Sequence, residues 1–104
     1  MITRKLVSEN SDATTTYDIE FDCPINFEEL LAYVKAKDNS YSIEFIIDEY
    51  FFDYKVNIVK DKKTNEWCFS DKFSKRLYSN VKNTSIKKCW ANGGWGRMKY
   101  YVTV

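Results

Sequence analysis

Histidine is absent from this 104-residue chain. That removes the commonest general base, the Ser-His and Cys-His nucleophile pairs and most zinc sites. Proline occurs once and glycine three times, so the composition is not that of a disordered or low-complexity segment. Cysteines are few and scattered: Cys23, Cys68 and Cys89 make no C-x-x-C spacing. An odd number of separated cysteines reads as free thiols that pack as small hydrophobes. Only Cys89, after Lys87-Lys88, has neighbouring cations that could depress a thiol pKa. Long apolar runs are missing too. The stretch at 45–47 ends at once in Asp48 and Glu49, and Met1–Lys5 leads into no apolar segment. The expectation is a cytoplasmic protein without a membrane span or signal peptide.

What is present is aromatic and charged. The chain holds eight Tyr, seven Phe and three Trp. Lysine outnumbers arginine thirteen to three and asparagine occurs eight times, a bias expected of a low-GC bacterial or phage genome. Charge is split by position. Through Lys55 there are 5 basic and 12 acidic residues, and from Val56 onward 11 basic and 3 acidic. A net charge of +1 therefore hides a dipolar sequence, which points to a binding surface more than to a fold.

Periodicity outlines the elements. Residues 2–7 and 14–22 read as strands. In the second, Thr15, Tyr17, Ile19 and Phe21 alternate with Thr16, Asp18, Glu20 and Asp22, the pattern of a half-buried strand. A helix is expected over about 26–37. Asn26 is its N-cap, Glu29 completes a capping box, and Ile25 and Leu30 hold the staple positions. Phe27, Leu30, Leu31 and Val34 make its apolar stripe. Residues 41–47 and 50–60 read as strands, and 66–70 as a short return. Over 71–83 two readings stay open, a short helix capped by Asp71 or an irregular segment. Residues 84–91 and 97–104 read as a terminal hairpin, with Asn92-Gly93-Gly94 supplying the positive φ a reversal needs. The predicted fold is a single α+β domain over 1–104. It is a mainly antiparallel sheet with one clear helix on one face, in two layers.

Two features could carry function. The segment Cys89–Met98 holds every glycine and two of the three tryptophans. It reads either as a plain hairpin or as a binding loop with Trp95 at its tip. Trp90, Trp95, Arg97, Lys99 and Tyr101 are the candidate partner-binding residues, because tryptophan, tyrosine and arginine dominate interface hot spots. The same basic and aromatic types suit a single-stranded nucleic-acid platform, although no RNA-binding motif accompanies them. Asp18, Glu20, Asp22, Asp48, Glu49 and Asp53 form a candidate acidic patch. It would dock a basic partner or line a solvated strand face, and no Ca²⁺-binding loop surrounds it. The expected function is a small non-catalytic protein-binding module, an adaptor or inhibitor of a larger, nucleic-acid-handling protein. The alternatives are a single-stranded nucleic-acid binder and an enzyme working through carboxylates or Cys89. No cofactor or metal is expected. Exposed edge strands leave a homodimer open.

Overall fold

The computed structural model describes the backbone at residues 1–49 and 52–104 and the side chains at 1–48 and 54–104. Among these, local sequence rules place most elements. Helix α1 (Phe27–Lys37) starts where the caps dictate. The Asn26 side chain accepts from the Glu29 N–H at 2.9 Å, and the Glu29 carboxylate accepts from the Asn26 N–H at 3.3 Å. Phe27, Leu30, Leu31 and Val34 are buried. Glu28 and Glu29 in its first turn, and Lys35 and Lys37 in its last, complement the helix dipole.

The strands are β1 (Ile2–Glu9), β2 (Thr15–Phe21), β3 (Ile25–Asn26), β4 (Ser42–Glu49), β5 (Phe52–Lys60), β6 (Trp67–Phe69), β7 (Ser85–Ile86), β8 (Lys88–Gly94) and β9 (Arg97–Thr103). Seven of them form one sheet in the order β1-β2-β8-β9-β4-β5-β6, while β3 and β7 make a separate ribbon. The sheet is mixed. Five of its six pairings are antiparallel, but β4 and β9 run parallel. The terminal hairpin β8–β9 slots between β2 and β4. A parallel neighbour needs a long connection, and the chain between β4 and β9 supplies it.

The segment at 71–83 resolves as a second helix, α2 (Lys72–Val81), so the architecture has two helices rather than one. Asp71 caps it, accepting from the Ser74 N–H at 2.6 Å, and this hydrogen bond holds the Asp71 carboxyl below its ordinary pKa. Ser74 is the one buried residue of α2, and its hydroxyl accepts from the Asn57 N–H at 2.9 Å. The helix thus satisfies a β5 edge group that the three-residue β6 is too short to reach.

One core joins the α1 stripe to the inward face of the sheet. Ile43, Phe45 and Ile47 of β4, Val56 and Ile58 of β5, Cys89 and Ala91 of β8, and Met98, Tyr100 and Val102 of β9 are all buried. Phe45 sits at its centre, with ring centroids 5.2 Å from Phe27 and 5.4 Å from Tyr100. Tyr78 extends the aromatic cluster toward Phe69 at 5.2 Å. One polar pair is built in. The Tyr100 hydroxyl donates to buried Asp38 at 2.6 Å, and the second Asp38 oxygen accepts from the Ser40 N–H at 2.8 Å.

Burial pushes the Cys89 thiol up to about 12 from its ordinary 9.0. Burial, and then the hydrogen bond to Asp38, also push the Tyr100 phenol up from 10.0. Both groups stay protonated in the fold after the unfolded chain has begun to lose their protons. Their contribution is complete below pH 9 and declines as pH rises toward 12, by about 1.4 kcal/mol per pH unit for each group in its window. Urea unfolding at a series of alkaline pH values is expected to show that decline. Stability independent of pH across that range would contradict the buried protonated thiol.

Candidate functional site

Alternation along each strand sends one set of side chains into the core and the other to the opposite face. On that opposite face none of the described side chains is buried. Register fixes its layout. One row across the strands runs Lys5, Asp18, Trp90, Tyr101, Ile46, Lys55. The next row toward the β8–β9 turn runs Thr16, Asn92, Lys99, Glu44, Asn57. Arg97 lies one row beyond, opposite Ser42 and Gly94.

Trp90 and Tyr101 are cross-strand neighbours whose rings stack at 4.1 Å with 12° between planes. Neighbouring strands are about 4.8 Å apart, so the stacking axis runs from strand to strand. The two rings therefore stand upright on the sheet as a ridge, with their outer faces toward Asp18 and Ile46. Trp90 is 43% exposed. A depression of about 370 Å³ opens on the β2 side, where β2 and β8 part beyond the Ile19–Cys89 pair. Another of about 430 Å³, lined by Ile46, Asp48, Lys55 and Thr103, opens on the β4 side.

Trp95 occupies the reversal itself. Gly94 and Arg97 pair, leaving Trp95 and Gly96 as a two-residue turn with φ of 60° and 79°. Two positive values mark a type I′ turn, which favours Asn or Gly at both positions. The reversal thus follows Asn92-Gly93-Gly94, which lie within β8. Gly93 and Gly94 serve close approach instead. A Cβ on Gly93 would lie 2.2 Å from the Arg97 carbonyl oxygen, and one on Gly94 would lie 2.6 Å from that of Ala13. The Trp95 indole N–H donates to the Asp12 carbonyl at 3.3 Å, yet the residue is 79% exposed. A bulky residue in the left-handed region costs about 1–2 kcal/mol, and such strain concentrates at functional positions.

The five candidate partner-binding residues therefore share one side of the molecule. Trp90, Arg97, Lys99 and Tyr101 lie on one face of adjacent strands, and Trp95 is at its rim. The acidic candidates are not gathered into one patch. Asp18 and Glu20 sit on β2 and Asp48 on β4, with β8 and β9 between them. That places the β2 and β4 carboxylates about 14 Å apart across the sheet. Asp22 lies past the end of β2 and pairs with the Met1 amino group, whose hydrogen bond lowers its pKa. Glu49 and Asp53 are acidic candidates whose side chains lie outside the described residues.

The sequence dipole likewise does not survive as two separate surfaces. Inserting β8–β9 beside β2 and β4 sets Lys5 opposite Asp18 and Lys99 opposite Glu44. Among the described residues the open face carries Lys5, Lys55, Lys88, Arg97 and Lys99 against Asp18, Glu20, Glu44 and Asp48. Cys89 faces the core, and its raised pKa is the reverse of what a thiolate nucleophile requires. No group of three metal-ligating side chains occurs among the described residues.

Sequence reasoning missed the buried Asp38–Tyr100 pair, because Asp38 reads as an ordinary helix-ending residue. It also missed the β1 edge. There a register irregularity between Leu6 and Ser8, together with Arg4 and Lys5, blunts an otherwise open strand. No described helix is long and apolar enough to cross a membrane. Comparison with protein-family models, with curated proteins and with solved structures finds no match for this chain.

Proposed function

We propose that the chain is a small protein-binding module, a two-layer domain that keeps α1 on one face of its sheet and docks a partner protein on the other. It acts as an adaptor or inhibitor and not as a catalyst. The observation that carries this reading is Trp95, an indole 79% exposed and held in a left-handed conformation at the rim of the open face. Folding stability alone would favour Asn or Gly at that position. The ridge of Trp90 and Tyr101 supplies an aromatic centre, and the surrounding charges and amides supply a polar rim. Interface hot spots have this anatomy.

Two details weigh against the single-stranded nucleic-acid reading. Bases stack on rings that lie flat and exposed, whereas Trp90 and Tyr101 stand upright with their facing surfaces covered by each other. A backbone-tracking groove is also predominantly basic, and this face mixes both signs.

Replacing Trp95 separates function from stability. Trp95→Asn relieves the left-handed strain and is expected to raise stability by about 0.5–1 kcal/mol while weakening partner capture. Thermal unfolding of the variant beside the parent, followed by affinity capture with both, checks this. A lower midpoint with undiminished capture would assign Trp95 a purely structural role.

A further inference from the structure

We infer that the corner of the open face between Arg97 and Lys62 is a receptor for an acidic, extended segment of the partner protein. The inference rests on the protein-docking reading and specifies its chemistry. A depression of about 430 Å³ lies at this corner, lined by Arg97 and Lys99 of β9, Glu44 of β4, Val59 of β5 and Lys62 of the turn after β5. Trp95 adjoins it through the β8–β9 turn. Tyr41 closes its end. The Tyr41 N–H donates to the Gly96 carbonyl at 2.9 Å, and the Tyr41 carbonyl accepts from the Lys60 N–H at 2.8 Å. Its half-exposed ring lies against Gly96, where a Cβ would come within 2.2 Å of it.

Charge selects the occupant. Lys62, Arg97 and Lys99 meet a single carboxylate, Glu44. Lys60 also borders the depression, but its ammonium lies over Trp67 at 4.9 Å, on the helix side of the sheet. Lys99 and Glu44 are register neighbours, yet neither they nor Lys62 and Arg97 make an ion pair among the described residues. Two carboxylates close by in sequence serve their own turns. Asp61 accepts from the Lys63 N–H at 2.8 Å, and Asp12 from the Thr14 hydroxyl at 2.7 Å. The excess positive charge attracts an anion, and Arg97 can take a carboxylate on two parallel N–H donors. Arg97 and Lys99 alternate on one strand at about 7 Å, the repeat of side chains along any extended peptide. Two acidic residues at alternate positions therefore match them, with Tyr41 and Val59 as an apolar wall. A nucleic-acid strand fits less well, because its charge continues past the corner. Along the face it would meet Asp48, about 13 Å from Glu44 on β4, and Asp18 and Glu20 on β2.

The test uses the full chain and follows assigned backbone N–H signals by NMR, those of Ser42, Gly96 and Lys99 at the corner and those of Tyr33 and Ala36 on α1 as controls. The probes are an acetylated, amidated Gly-Glu-Gly-Glu-Gly peptide, its Gly-Lys-Gly-Lys-Gly counterpart, inorganic phosphate and oligothymidylate. The glutamate peptide is expected to move the corner signals saturably at millimolar concentration and leave the controls in place. The lysine peptide should move neither. Arg97→Gln should weaken the glutamate response about tenfold. Glu44→Gln, which removes the one opposing charge, should strengthen it about threefold.

Corner signals that ignore the glutamate peptide, that respond equally to the lysine peptide, or that respond equally in Arg97→Gln would overturn the inference. So would tighter binding of oligothymidylate, or binding of inorganic phosphate as tight as that of the peptide. Failure of the docking reading shows separately, as partner capture that Tyr101→Ala leaves intact. If that variant loses capture while the corner ignores the glutamate peptide, docking stands and the acidic-segment receptor falls.

Discussion

Tyr100→Ala is expected to lower stability by about 3–5 kcal/mol and to shift the thermal midpoint down by roughly 15 °C or more. Tyr100 is 1% exposed, and its ring packs 5.4 Å from Phe45 at the centre of the core. Truncation opens a cavity there. It also removes the hydroxyl that donates to Asp38 at 2.6 Å, stranding a buried carboxylate oxygen. An unpaired buried acceptor adds about 1–3 kcal/mol of its own. Tyr100→Phe isolates that second part, because it keeps the ring and removes only the donor. It is expected to cost about 1–3 kcal/mol. The Asp38→Asn/Tyr100→Phe double variant should be less destabilised than the two single variants added together, since the pair acts as a unit. Additive losses would mean that the hydroxyl and the carboxylate act independently.

The adjacent residue is expected to behave in the opposite way. Tyr101 points to the open face, where its ring stacks on Trp90 at 4.1 Å. Removing one partner of an exposed aromatic pair costs about 1 kcal/mol of stability. On the proposed docking reading, however, its truncation should weaken partner binding about 30-fold or more, on the scale of an interface hot spot. Tyr100 and Tyr101 thus form an internal contrast one residue apart, one buried in the core and the other, on the proposed reading, at the docking surface. The pair of unfolding midpoints, compared with the pair of capture yields, reads that contrast directly. A large stability loss in Tyr101→Ala would place the ring in the load of the core, and an undiminished yield would remove it from the interface.

Much of the local structure is legible in the sequence because its causes are local. The capping box of Asn26 and Glu29 fixes the start of α1 within one residue. The alternation of β2 and β9 assigns every described side chain to its face, Ile19, Met98, Tyr100 and Val102 inward and Asp18, Lys99 and Tyr101 outward. Trp90 and Tyr101 can be singled out by type alone. Their stacking cannot, because it depends on the register of β8 against β9. That register follows from placing the turn at Trp95-Gly96, whereas the dipeptide preferences point to Asn92-Gly93.

Strand order is the other piece that chain-local patterns do not hold. The parallel pairing of β4 with β9 joins residues 42–48 to residues 97–103, and nothing near either strand announces the other. The separation of acidic from basic halves is cancelled by that long-range step. Strands of opposite charge become neighbours, and Lys99 faces Glu44 across it. Asp38 shows the same dependence on distant contacts. Its carboxylate is tolerated in the core because Tyr100, 62 positions later, brings a donor to it.

On the proposed reading, the open face of the sheet, and not the helical side, meets a partner protein. Quantitative affinity capture from one lysate with the parent chain, Tyr101→Ala and the helix-surface control Lys37→Ala, compared protein by protein, tests it most directly. The expected result is a defined set of proteins retained by the parent and by Lys37→Ala and lost from Tyr101→Ala, with all three chains folded. The same set retained by Tyr101→Ala, or lost from Lys37→Ala, would contradict it.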